Sequence, residues 1–210
     1  VASLTKRQLI DIMGQLDFFK KIKKTDTETV ILKKPSLNHI AFADKALEIF
    51  SPEMEKFGFI GHRTEIDTNL TTIVFRKDKQ YIKIDGSTEP RDLNDCYNII
   101  LGEGDSEDFW EWDWNSIALW RLKRTINPKA KTQEYSFPFG DEISDNLISA
   151  KKELLKFGQT FLNGDLTLFY NTRQEQNRDR EPYKIHSPDN YGKYQTIDEP
   201  RSTEMKKKYS

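Results

Sequence analysis

Cysteine, histidine and glycine are scarce in this 210-residue chain, and each shortage closes off a class of chemistry. A single cysteine, Cys96, permits no internal disulfide and points to a reducing, cytoplasmic setting. Set among apolar neighbours in a predicted strand, it reads as a buried, inert thiol. The three histidines, His39, His62 and His186, lie far apart and form no H-E-x-x-H or Cys/His arrangement, so each reads as an ordinary surface or helix-end residue. The ten glycines supply no phosphate-cradling loop, dinucleotide fingerprint or G-x-S-x-G elbow. Gly102-Glu103-Gly104 is too short for such a role, and its acidic flanks would repel phosphate. No apolar run approaches the roughly 18 residues of a membrane span, which excludes a transmembrane helix and argues against a membrane partner. A net charge of −1 creates no overall field toward nucleic acid or an anionic surface. The chain begins at Val1 rather than methionine, which is compatible with a leader removed upstream.

What is present is a polar but foldable chain. Mean hydropathy is −0.77, yet four tryptophans and thirteen phenylalanines give it groups to bury, which a disordered chain lacks. Ile40, Ala43, Leu47, Phe50, Met54 and Phe57 recur at intervals of three and four, predicting an amphipathic helix over 38–57. Ser51-Pro52 inside it predicts either a kink or two helices sharing one stripe. Gly58 breaks the pattern. Strand-like runs follow at 59–66, 70–76, 80–85 and 96–101, with turns at Asp67-Thr68-Asn69, Asp78-Lys79 and Asp85-Gly86. Further helices are predicted over 5–19, 115–124, 141–162 and 165–178, and a short strand around Thr27–Leu32. The 141–162 helix carries the stripe Ile143, Leu147, Ala150, Leu154, Phe157 and Phe161. The expected fold is α+β: an antiparallel β-meander of three to five strands packed against two or three amphipathic helices. Residues 1–178 would form one domain, with 1–37 as an N-terminal helix and connector. The polar segment 179–210 would be an extended or disordered tail.

Charge is uneven along this frame. Residues 103–113 hold Glu103, Asp105, Glu107, Asp108, Glu111 and Asp113 without a base, and Trp110, Trp112 and Trp114 alternate with the last two acids. If extended, the segment would present indoles on one side and carboxylates on the other, a surface suited to a basic protein partner anchored by tryptophan. Alternatively, the indoles fill the core while the acids remain solvated near a helix start. The acids lack the order of a calcium loop, and Asp78, Lys83 and Asp85 lack the second carboxylate of a metal-dependent nuclease, so no metal or cofactor is expected. The basic runs Lys20–Lys24, 121–131 and the closing lysines lack interleaved aromatics and read as solvated surface, making nucleic acid an unexpected partner.

The runs LEIFSPEMEKFGF, TTIVFRKDKQYIKI, CYNIILGEG and IALWRLKR, within residues 38–124, resemble small bacterial proteins of largely unknown role, several families of which are immunity partners in toxin systems. The resemblance implies a helix followed by Gly-Phe and a meander, and carries no catalytic signature. The absent catalytic constellation and the one-signed patch beside indoles predict a non-enzymatic intracellular binding protein, in its finer form an immunity-type inhibitor, whose partner-binding residues are Glu103, Asp105, Glu107, Asp108, Trp110, Glu111, Trp112 and Asp113, directed at a toxin or enzyme with a basic cleft. The alternatives are a metal-dependent hydrolase with scattered carboxylates including Asp85, and a structural or assembly subunit.

Overall fold

A computed structural model describes residues 28–31, 35–89, 95–106, 109–131, 134–188 and 192–210. The helix expected over 5–19 lies outside them, as do Glu107 and Asp108. The first described helix, α1 (Leu37–Lys56), starts where Ser36 accepts a 3.2 Å hydrogen bond from the His39 backbone amide. It runs through Pro52 as one element rather than two. It ends in a Schellman motif: Gly58 adopts φ +81°, its amide bonds the Glu55 carbonyl, and the Phe59 amide reaches back to Met54. Phe59 and Met54 are both fully buried, completing the apolar contact that this cap favours.

The meander follows as expected. Strands β2 (Ile60–Ile66), β3 (Leu70–Lys77), β4 (Gln80–Ser87) and β5 (Cys96–Glu103) pair antiparallel in chain order. Short edge strands enlarge the sheet to seven: β1 (Glu28–Ile31) runs parallel to β2, while β6 (Ser116–Ala118) and β7 (Tyr135–Ser136) both pair with β5. The two-residue turn between β3 and β4 places Asp78 at φ +51°, a left-handed position that aspartate tolerates better than most residues.

Alternation along these strands divides the sheet into two faces. Ile73, Phe75, Ile82, Ile84, Tyr97, Ile99 and Leu101 form the core face, against Phe42, Ala43, Ala46, Phe50 and Met54 of α1. The second covering helix, α4 (Glu142–Phe157), contributes Ile143, Leu147, Ala150 and Leu154. Each fully buried phenylalanine here contributes roughly 2–3 kcal/mol by leaving water. The sequence stripe on α1 is displaced by part of a turn: Ile40, Leu47 and Phe57 are only half-buried, and His39, Phe42 and Ala46 take their places. His39 is thus neither at the surface nor free. Its ring nitrogens lie 2.7 Å from the Thr71 hydroxyl and 2.9 Å from that of Thr88, tying the start of α1 to the end of the sheet. Burial lowers its pKa below the ordinary histidine value, against weaker opposing fields from Asp95 and Asp67. Cys96 is only partly buried, rather than enclosed in the core.

Gly158 separates α4 from the short helix α5 (Gln159–Leu162), so the helix expected over 141–162 is two. A further helix, residues Thr167–Asn177, follows Gly164, as the apolar residues Leu166 and Phe169 indicated. Within 179–210, expected to be an extended or disordered tail, the described residues include regular secondary structure. Strands β8 (Lys184–Pro188) and β9 (Tyr194–Asp198) form an exposed hairpin, and a helix spans Pro200–Tyr209. That last helix has a Glu199 cap accepting from the Ser202 amide at 2.6 Å, proline in its first turn and three lysines at its end.

Candidate functional site

The acidic-aromatic segment does not run extended. Phe109–Asn115 is a helix, α2, followed by β6 and a second helix, α3 (Leu119–Ile126). A period of 3.6 abolishes the division into an indole side and a carboxylate side that a strand would produce. Trp114 is buried and Trp110 and Trp112 are half-buried, while Phe109 is 46% exposed.

Two glycines set α2 against the second face of the sheet. Gly102 on β5 leaves room for the Tyr81 ring, whose hydroxyl donates a 2.5 Å hydrogen bond to the Asn115 side-chain oxygen. A Cβ at Gly102 would lie 2.5 Å from Tyr81 Cε2 and closer still to Cζ. At Gly104 it would collide with the Asn115 amide and sit 2.9 Å from Glu111 Oε1. These glycines therefore act by their lack of a side chain. Beside them, the buried Lys83 ammonium is 3.1 Å from the half-exposed Asp85 and 3.8 Å from the Trp112 ring centre, a contact that ties this face of the sheet to α2. Among the described residues, no group of three histidine, cysteine or acidic side chains is placed to hold a metal ion.

The acids of the segment meet a recurring pair of groups from the C-terminal part of the chain. Below, α6 denotes Thr167–Asn177 and α7 denotes Pro200–Tyr209. Glu103 accepts from the Tyr170 hydroxyl at 3.0 Å and faces Arg173 at 3.6 Å. Asp113 accepts from the Tyr183 hydroxyl at 2.8 Å and is ion-paired with Arg180, which also donates a 2.6 Å hydrogen bond to the Asp113 carbonyl. Glu111 accepts from the Tyr209 hydroxyl and from Lys208 at 3.0 Å. Each acid thus receives one tyrosine and one cation. Burial and these carboxylates raise the pKa of all three tyrosines above the ordinary value, keeping the hydroxyls protonated as donors. Hydrogen bonds to Tyr209 and Glu111 likewise hold Lys208 above its usual range. Asp105 remains exposed, 3.5 Å from Lys79.

Asn177, which belongs to no motif in the sequence, joins these elements. Fully buried at the end of α6, its amide donates to the Trp114 carbonyl at 2.9 Å and the Tyr209 carbonyl at 3.0 Å. Arg180 also lies over Trp114, 4.4 Å from the ring centre. Asn177 and Arg180 look like ordinary polar residues in sequence; only their spacing from Tyr170 and Tyr183 hints at a shared surface.

Two features stay open. The first is a ring cluster in which Phe109 lies 5.2 Å from Trp110, 5.8 Å from Trp112 and 5.6 Å from Tyr183. Phe109 and Tyr183 are both exposed there. The second is a cleft of about 560 Å³ between α3 and α6, lined by Trp120, Arg121, Arg124 and Pro128 on one side and Thr172, Glu175 and Gln176 on the other. The run 121–131 is therefore not uniformly solvated surface: Lys123 is paired with Glu153 at 2.5 Å, and Arg121 and Arg124 border the cleft. No described helix is long and apolar enough to cross a membrane. Comparison with protein-family models, curated proteins and solved structures finds no match to this chain.

Proposed function

We propose that this chain is a binding protein that docks a basic, aromatic-bearing segment of a partner protein on the Phe109–Trp110–Tyr183 face. The observation that carries this reading is that the acidic-aromatic segment already holds such a segment in cis. Three tyrosine-plus-cation pairs from residues 170–209 sit on Glu103, Asp113 and Glu111. Of these, Asp113 holds Tyr183, and Tyr183 with Phe109 offers the exposed area of the face. Aromatic side chains, tryptophan and tyrosine above all, supply most of the energy at protein interfaces. Asp105 and Glu181 are well exposed, each held by one surface lysine, Lys79 and Lys206, that a basic partner could replace. An immunity-type inhibitor seated in a basic cleft of a toxin is the finer form of this proposal.

The reading is tested by calorimetric titration of the full chain with lysine- and arginine-rich peptides carrying one tyrosine. Phe109→Ser with Trp110→Ser is expected to weaken binding about thirtyfold, the scale of losing an interface hot spot. Unchanged affinity in that folded variant would sink this placement of the interface.

A further inference from the structure

The cleft between α3 and α6 combines features that the ring-cluster face lacks. Arg121 and Arg124 stand one helical turn apart on its wall, and neither is ion-paired with any described carboxylate. Both are exposed. Partial burial, and after it the charges of Arg180 and Arg124, disfavour the Arg121 cation, a cost that a bound anion would relieve. The Arg121 guanidinium lies over the Trp120 ring, 4.5 Å from its centre, so cation and indole form a stacked pair at the cleft. Pro128 adds an apolar edge. Across the cleft, Glu175 offers an acceptor, and Gln176, which donates to the Ser116 carbonyl at 3.2 Å, keeps its own side-chain oxygen. The Thr172 hydroxyl is 3.3 Å from that of Thr125, bridging the two helices at the cleft.

Two forked cations, one of them stacked on an indole, and two acceptors within about 560 Å³ describe an amphoteric ligand of modest size. A simple anion would leave Glu175 repelling it. We infer that this cleft binds a nucleoside monophosphate, with the phosphate on Arg121 and Arg124, the base against Trp120, and ribose or base N–H and O–H groups donating to Glu175 and Gln176. Guanidinium forks match phosphate oxygens in pairs, which makes arginine the suitable residue for this contact.

The test is titration of the full chain with adenosine and uridine monophosphates, the matching nucleosides and inorganic phosphate, by calorimetry and by the indole N–H resonances. Saturable one-to-one binding of a monophosphate is expected, with the Trp120 resonance moving and that of Trp110 unmoved. Nucleoside and inorganic phosphate should each bind at least tenfold more weakly. Arg121→Gln with Arg124→Gln should weaken binding at least tenfold; both positions are exposed, and Arg124→Gln alone serves if the double variant is not folded. The inference is overturned by no saturation at millimolar nucleotide, by inorganic phosphate binding as tightly, by an affinity insensitive to the arginines, or by shifts confined to Trp110.

Discussion

Replacing Gly102 with alanine tests how α2 is held on the sheet. The added methyl would overlap Tyr81 Cζ and its hydroxyl and lie 2.5 Å from Cε2, so reaching ordinary contact requires the ring to move by more than about 1 Å. Tyr81 is fully buried and has no free direction of retreat. Overpacking of this kind costs about 1–3 kcal/mol. Moving the ring also breaks its hydrogen bond to Asn115, whose side chain is itself fully buried, adding about 1–3 kcal/mol for the group left unpaired. Gly102→Ala is therefore expected to destabilise the protein by roughly 3–5 kcal/mol, the sum of these two ranges taken short of their extremes. The decisive comparison is Tyr81→Ala. That change is costly alone, but it removes the obstruction, so adding Gly102→Ala to it should cost below about 1 kcal/mol. Urea denaturation of the four proteins, followed by circular dichroism, gives the cycle. A cost for Gly102→Ala that is small in the parent, or equal in both backgrounds, would refute the steric account.

Arg180→Ala removes an ion pair, a hydrogen bond to the Asp113 carbonyl and the contact over Trp114. A loss of about 2 kcal/mol is expected by denaturation, with faster proteolytic cleavage after residue 180, because charged hydrogen bonds at partly buried sites carry this weight. Unchanged stability and cleavage would contradict the clamp formed by Asp113. The lowered pKa of His39 predicts a pH effect of definite sign. Above the ordinary histidine value of about 6.5, the ring is neutral in both folded and unfolded chains and stability is flat. As pH falls below that value, the unfolded chain takes up the proton first, so stability declines. His39→Gln should flatten this acid limb in a series of denaturation curves at pH 5 to 8; an unchanged slope would assign it elsewhere.

The scaffold was legible because its signals are local and strong. The four meander strands are β-branched or aromatic runs between turn residues, and Ile143, Leu147, Ala150 and Leu154 mark a helical face that no other period explains. On α1 two overlapping stripes compete, and packing chose the one containing Phe42 and Ala46, because the small Ala43 and Ala46 let the helix approach the sheet. α2 was obscured because a seven-residue helix of aromatic and acidic residues has little intrinsic preference for being helical. Its conformation is imposed by Asn115 on Tyr81, by Trp114 in the interior and by the clearance at Gly102 and Gly104. The last helix was hidden for the opposite reason. Its composition is almost wholly polar, and Tyr209 is its one large buried side chain, although Glu199, Pro200 and Lys206–Lys208 are proper start and stop signals. The acids of 103–113 were visible from the start; that the counterions of Glu103, Asp113 and Glu111 lie 67 to 97 residues away in the same chain was not.

The central claim is that a partner reads the ring cluster, while the neighbouring carboxylates serve the protein's own C-terminal segment. The most direct measurement is the response of the four indole N–H resonances to a basic, tyrosine-bearing peptide. The account predicts that Trp110 shifts in step with binding, that the buried Trp114 stays in place with its Arg180 contact intact, and that Trp120 is silent. Binding that moves Trp114 and leaves Trp110 unchanged would contradict it, because the peptide would then be displacing the C-terminal segment instead of docking on the exposed rings.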